Sequence, residues 1–302
     1  MPFLTLWPKV HLNPDHVVRP KFAHLLDASY RPFLLLELPV EIGLQILSSA
    51  ASCSQEAYRS LLLTNKSINA LVRVEMFPGV VVLQNKRQLV AFLNFIAQYP
   101  EFIQKVHALW TICSGPVQHH ARASMEIIRA CTSVRSLACH SYVLQHAISS
   151  AQSVATHTRL VDLTLAEFDR ANWNALLHFY PAVHRLFHQI ERLHCVGAPA
   201  SIWTEFPELN KLTRLSIGMG VHKHIHESLF RNVLRSPKLQ QIVITTRLHG
   251  EEQSALSSQV QQIDNRFSVL HKRRRWKELT LFCESVLDPE RFWDQAKAEK
   301  NS

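Results

Sequence analysis

Along the second half of the chain one short phrase keeps returning: an apolar residue, two others, leucine or isoleucine, one other, then an apolar residue. It reads VRSLAC from Val134, LVDLTL from Leu160, IERLHC from Ile190, LTRLSI from Leu212, LQQIVI from Leu239 and WKELTL from Trp276, with a weaker copy, VHALWT, from Val106. Successive starts lie 28, 26, 30, 22, 27 and 37 residues apart. The alternation inside each phrase predicts a strand. Between copies lie segments with helical character, among them HHARASMEIIRAC, ANWNALLHFYP, IHESLFRNVLR and SALSSQVQQIDNRFSVLHKR. A strand and helix of this size cannot bury an apolar face alone, so the units must stack.

Ahead of the repeats the pattern differs. Prolines at positions 2, 8, 14, 20 and 32 break residues 1–36 into an extended lead-in. At LPVEIGLQIL a helix opens, with Pro39 where its missing N–H would have had no partner and Glu41 near the positive end of the dipole. Ile42, Ile46, Leu47 and Ala50 form its apolar stripe, and Leu44 points elsewhere. YRSLLLT and NKSINALVRVEMF read as second and third short helices. FPGVVVL then reads as a short strand, and KRQLVAFLNFIAQYP as an amphipathic helix stopped by Pro100.

Three short helices opening on Leu38-Pro39-x-Glu41-Ile42, with Ile46 and Leu47 further on and LLLTNKSINALV as the continuation, resemble the F-box family. The spacer after the first helix is serine and alanine rich where many members carry Leu-x-x-x-Asp, and Asn69 and Ala70 stand where an aromatic is common. The repeats behind resemble a divergent leucine-rich repeat that lacks the usual asparagine. The expected fold is therefore α+β: a proline-containing extension (1–36), an all-α F-box-like three-helix module (37–77), an irregular α/β leucine-rich-repeat-like solenoid or horseshoe (78–287) and a C-terminal helix or tail (288–302). The resemblance implies a substrate-recognition subunit of an SCF-type cullin-RING ubiquitin ligase. It would bind the adaptor subunit through Leu38, Pro39, Ile42, Leu61 and Leu71, hold an unknown protein substrate on the repeats, and work in the cytoplasm, the nucleus or both. Two alternatives stand beside it: a repeat scaffold with no ubiquitin role, and a basic nucleic-acid-binding protein.

Composition trims these classes. Hydrophobic residues make up 47% and charged residues 19% of 302, which is ordinary globular usage. No apolar run approaches the roughly 18 residues of a membrane span, so no membrane partner is expected. The net charge of +9 is spread widely, and its one dense cluster is Lys272, Arg273, Arg274, Arg275 and Lys277. That cluster is a candidate basic contact patch, although a solvated loop or import signal explains it more simply than a nucleic-acid site does.

Six cysteines lack any CxxC pairing, which argues against a zinc module or disulfide framework. His222, His224 and His226 lie too close on one short element to close a tetrahedron, even with Glu227. His119 and His120 read as a basic helix entrance. Cys139-His140 and His194-Cys195 are neighbours, but neighbours along a strand point to opposite faces. The rival architecture is a doubly wound sheet with a cofactor at its switch point. Its best candidate, Gly218-x-Gly220, lacks both the third glycine and a following acidic residue. No catalytic motif is present, and neither enzymatic activity nor a cofactor or metal is expected. Aromatics crowd the middle repeats: Phe168, Trp173, Phe179, Tyr180, Phe187, Trp203 and Phe206, as core or as recruitment anchors.

Overall fold

The computed structural model describes residues 38–53, 55–64, 66–75, 79–113, 116–148, 157–166, 186–197, 209–218, 230–271 and 278–301. Three helices come first: α1 (Val40–Cys53), α2 (Gln55–Leu62) and α3 (Lys66–Glu75). Pro39 stands just ahead of α1 and its carbonyl accepts from Gly43 N at 3.0 Å, closing the first turn. Leu47, Ala51, Leu62, Ile68 and Val72 make a small shared core, with Leu44, Tyr58 and Leu61 packed against it. The expected stripe on α1 is thus turned. Leu44, Leu47 and Ala51, spaced i, i+3 and i+7, face inward. Ile42 and Ile46, on the outward side, stay 46% and 40% exposed.

A parallel sheet follows, built from β1 (Val80–Val82), β2 (Ala108–Trp110), β3 (Ser136–His140), β4 (Asp162–Ala166), β5 (Arg192–Val196), β6 (Arg214–Gly218), β7 (Gln241–Thr246) and β8 (Phe267–His271). Each strand pairs with the one before it, in the order β1 to β8. Helices α4 (Lys86–Gln98), α5 (Ala121–Ala130), α6 (Ser141–Ile148), α7 (Arg231–Leu234) and α8 (Glu251–Ile263) lie on connections between strands, and α9 (Glu278–Leu287) and α10 (Arg291–Asn301) come last.

Six strands begin two residues into a copy of the phrase. The leading residue of each copy, Val106, Val134, Leu160, Ile190, Leu212 and Leu239, is buried. It fixes the chain before the strand, and the ladder already starts there: Val161 N donates to Arg135 O, Glu191 N to Val161 O, and Thr213 N to Glu191 O. Gly79, ahead of β1, lies against the exposed His107 ring: a Cβ there would sit 1.8 Å from it, so any other residue would push that ring aside.

The last copy fails as a strand. Leu279, Phe282, Cys283 and Val286 fall at i, i+3, i+4 and i+7, and this helical stripe becomes α9 instead. The eighth strand comes from FSVLH, inside the segment expected to be helical. Its leading position is Asn265, so the phrase is not recognisable there. A polar strut replaces the apolar anchor: Arg266 donates to Leu234 O at 3.1 Å and Leu239 O at 3.2 Å while held by Asp264 at 2.9 Å.

These last elements overturn the expected α+β class, with its all-α module leading into a leucine-rich-repeat-like solenoid. The architecture is α/β, one open eight-stranded parallel sheet with helices against both faces. On one face, Leu109, Leu137, Leu163, Leu193, Leu215 and Ile242 pack with Leu89 and Phe92 of α4, Ile127 and Ile128 of α5 and Val260 of α8. On the other, Phe282 of α9 packs with Val80, Val82, Ala108, Trp110 and Ala138, and Phe292, Trp293 and Ala296 of α10 pack with Val243 and Leu270. A horseshoe would have left that second face open. The sheet also differs from the rival doubly wound arrangement, because its strand order never reverses and forms no switch-point crevice.

Candidate functional site

Two places gather side chains that ordinary packing does not explain. The first is the outer side of α1, where Ile42 and Ile46 are 46% and 40% exposed; Val40, in the first turn, and Leu63, just past α2, are 69% and 78% exposed. Of the residues expected to meet an adaptor, Ile42 lies on this flank, Pro39 is exposed at its start, and Leu38 is half-buried. Leu61 is half-buried against the helical core. Leu71 lies in α3, and its side chain is outside the described ones. Val40, Ile46 and Leu63, which the family pattern had not singled out as contacts, are exposed as well.

The second place is the middle of the sheet's α9–α10 face. The third residue of each phrase points there, and the register sets these residues in one row: Ser136, Asp162, Arg192, Arg214, Gln241. Ser136 Oγ donates to Asp162 Oδ2 at 3.0 Å. Arg192 donates to both Asp162 oxygens, through Nε and through Nη2 at 3.0 Å. Glu290, in the turn between α9 and α10, bridges the two arginines: Oε1 lies 3.6 Å from Arg192 Nη1, and Oε2 meets Arg214 Nη2. The Arg214 guanidinium also sits over the Trp293 ring at 5.7 Å, and Gln241 Nε2 donates to Trp293 O at 3.0 Å. In the next row His194 Nε2 donates to Glu278 Oε2 at 3.0 Å, with the Phe292 ring edge-on at 5.9 Å.

Electrostatics follow from this geometry. Burial works against the Arg192 charge, but the hydrogen bonds and field of Asp162, with Glu290 and Glu191, leave its pKa raised. The hydrogen bond from Arg214 holds the Glu290 carboxyl below its ordinary range, and partial burial only partly opposes it. Between this row and the aromatics of α9 and α10 lies a cavity of about 50 Å³, lined by Asp162, Thr164, His194, Glu278, Ser285 and Trp293 among others. That is room for a few waters, far from the space a nucleotide needs.

The other sequence candidates separate. Lys272, Arg273, Arg274, Arg275 and Lys277 lie outside the described residues, as do His222, His224, His226 and Glu227. So do Gly220 and all the middle aromatics except Phe187, which is buried in the main core. His120 is buried, with its ring 5.5 Å from that of His140. Cys139 and Cys195 point into the main core, while His194 reaches the opposite face to Glu278. Burial pushes the thiols of Cys113 and Cys131 up to about 12, which suits packing and not nucleophilic attack. Among the described residues no group of histidines, cysteines and carboxylates is arranged to hold a metal, and no helix is long and apolar enough to cross a membrane.

Compared with family models, with curated proteins and with solved structures, the chain matches none.

Proposed function

We propose that the chain is a recognition subunit of a cullin-RING ubiquitin ligase, docking the adaptor through its three F-box-like helices and presenting a protein target from the sheet-bearing part. It does no bond chemistry itself; it raises the effective concentration of a substrate lysine near a ubiquitin-loaded enzyme. One observation carries this reading. Val40, Ile42, Ile46 and Leu63 stay exposed on a unit that already has its own core in Leu47, Ala51, Leu62, Ile68 and Val72. Aliphatics left out of a completed core are available to a partner.

The test is co-expression of the full chain with an adaptor subunit, followed by size-exclusion chromatography of wild type beside Ile42→Asp/Ile46→Asp. Because both side chains are exposed, the variant should keep the stability of the wild type to within about 1 kcal/mol. Co-elution lost in a folded variant supports docking at this flank. A folded wild type that never co-elutes leaves a protein-interaction scaffold without a ubiquitin role.

A further inference from the structure

We propose that Arg192 and Arg214 form a carboxylate-binding site that the chain's own Glu290 occupies at rest, and that an acidic, glutamate-bearing segment of a protein partner competes for it. This stands whether or not the N-terminal helices dock an adaptor.

Arg192 and Arg214 are register partners on adjacent strands, with side chains only 16% and 14% exposed. Like charges placed side by side on a sheet repel, and burial makes the repulsion worse. Elsewhere on this face the chain solves the packing with apolar side chains, such as Val243 and Leu270 beneath α10. Two neighbouring guanidiniums make sense only with an anion between them. Asp162 serves Arg192 alone; the shared anion is Glu290, one oxygen toward each arginine.

The occupant is also replaceable. Glu290 is 50% exposed and sits in a turn, after Pro289, at the tip of the α9–α10 pair. Phe282, Phe292 and Trp293 anchor both helices independently, so the carboxylate can leave without lifting either from the sheet. The Glu290 side of the pair is half exposed, so water can take over its contacts when the carboxylate leaves, whereas Arg192 stays fixed by Asp162 and Arg214 by the Trp293 ring. The geometry, two guanidiniums of which one lies over the Trp293 ring, suits a planar carboxylate on a peptide.

The experiment measures binding of fluorescent hexaglutamate to the full chain by anisotropy at fixed salt. The variants are Glu290→Gln, Glu290→Gln/Arg214→Gln, and Glu251→Gln, which removes an exposed charge on α8. Freed of its internal competitor, Glu290→Gln should bind roughly tenfold more tightly than wild type. Glu251→Gln should match wild type, and the double variant should lose the gain. Equal affinities for Glu290→Gln and Glu251→Gln, or a gain that survives Arg214→Gln, would overturn the proposal, because either result assigns binding to general positive charge. Should Glu290→Gln not fold, Glu290→Asp, which keeps the charge but shortens its reach, carries the same expectations.

Discussion

The covering of the second sheet face can be tested by one side chain. Phe282 on α9 is 4% exposed, and its ring meets Trp110 of β2 edge-on at 5.3 Å, amid Val80, Val82, Ala108 and Ala138. Phe282→Ala removes a fully packed aromatic from between helix and sheet, where neighbours on both sides are held by other contacts and the gap collapses only in part. The expected cost is about 3 to 5 kcal/mol, with the edge-to-face contact included. Leu287 is the control, because it lies on the same helix and is 55% exposed; Leu287→Ala should cost no more than about 0.5 kcal/mol. Urea unfolding followed by tryptophan fluorescence reads both. With a slope near 3 kcal/mol per molar, Phe282→Ala should lower the midpoint by roughly 1 M or more. If the two variants unfold together, α9 does not lie on the sheet and the second face is open. The assignment of helices to both faces would then be wrong.

Further outcomes follow from individual contacts. Arg266→Met removes the strut from Leu234 O and Leu239 O, so β7 and β8 should lose hydrogen-exchange protection and stability should fall by about 2 to 3 kcal/mol; unchanged protection would show the strut to be incidental. Native thiol labelling at pH 8 should spare Cys113, Cys131, Cys139 and Cys195 and touch half-buried Cys283 slowly, with mass spectrometry finding the four modified only after unfolding. Glu290 titrates below its ordinary value of 4.5 when folded, so its contribution is complete above that value and is lost as pH falls through the lowered one. Wild type should therefore lose more of its urea midpoint between neutral pH and pH 3 than Glu290→Gln does.

Much of this fold is legible in the sequence because its repeats carry a local signal. The leading apolar residue of each phrase marks a strand two residues later, since that residue must be buried before the ladder can form. The signal fails where physics substitutes something else for the anchor. At Asn265 the anchor is polar and Arg266 takes over through backbone carbonyls in other turns of the chain, which no nearby residue announces. At Trp276 the phrase is complete, yet Glu278–Leu287 also carries a helical stripe. A period of 2 and a period of 3.6 both fit ten residues, and only the presence of an uncovered sheet face beneath decides between them. The α1 flank was blurred for a related reason: both sides of that helix are aliphatic, and which side turns inward depends on α2 and α3.

The polar row was present in the sequence but needed register to be seen. Its members are the third residues of successive phrases, Ser136, Asp162, Arg192, Arg214 and Gln241, separated by 22 to 30 residues. Taken one phrase at a time, each is an ordinary outward polar residue on an alternating strand. In-register parallel pairing turns that repetition into adjacency, as Asp162 beside Arg192 and Arg192 beside Arg214. The strands themselves record how the face is covered. Strands β1, β2, β3 and β7 are buried at every position and β8 at all but its last, whereas β4, β5 and β6 keep partly exposed residues among the buried ones. Helices α9 and α10 therefore seal the two sides of the sheet with apolar contacts and meet over a polar centre. Over the middle strands Phe292 stands against His194 and Trp293 over Arg214, and beside them two arginines face a carboxylate on an exposed turn. That distribution separates what holds α9 and α10 in place from what fills the centre, so the centre can exchange its anion while the cover stays.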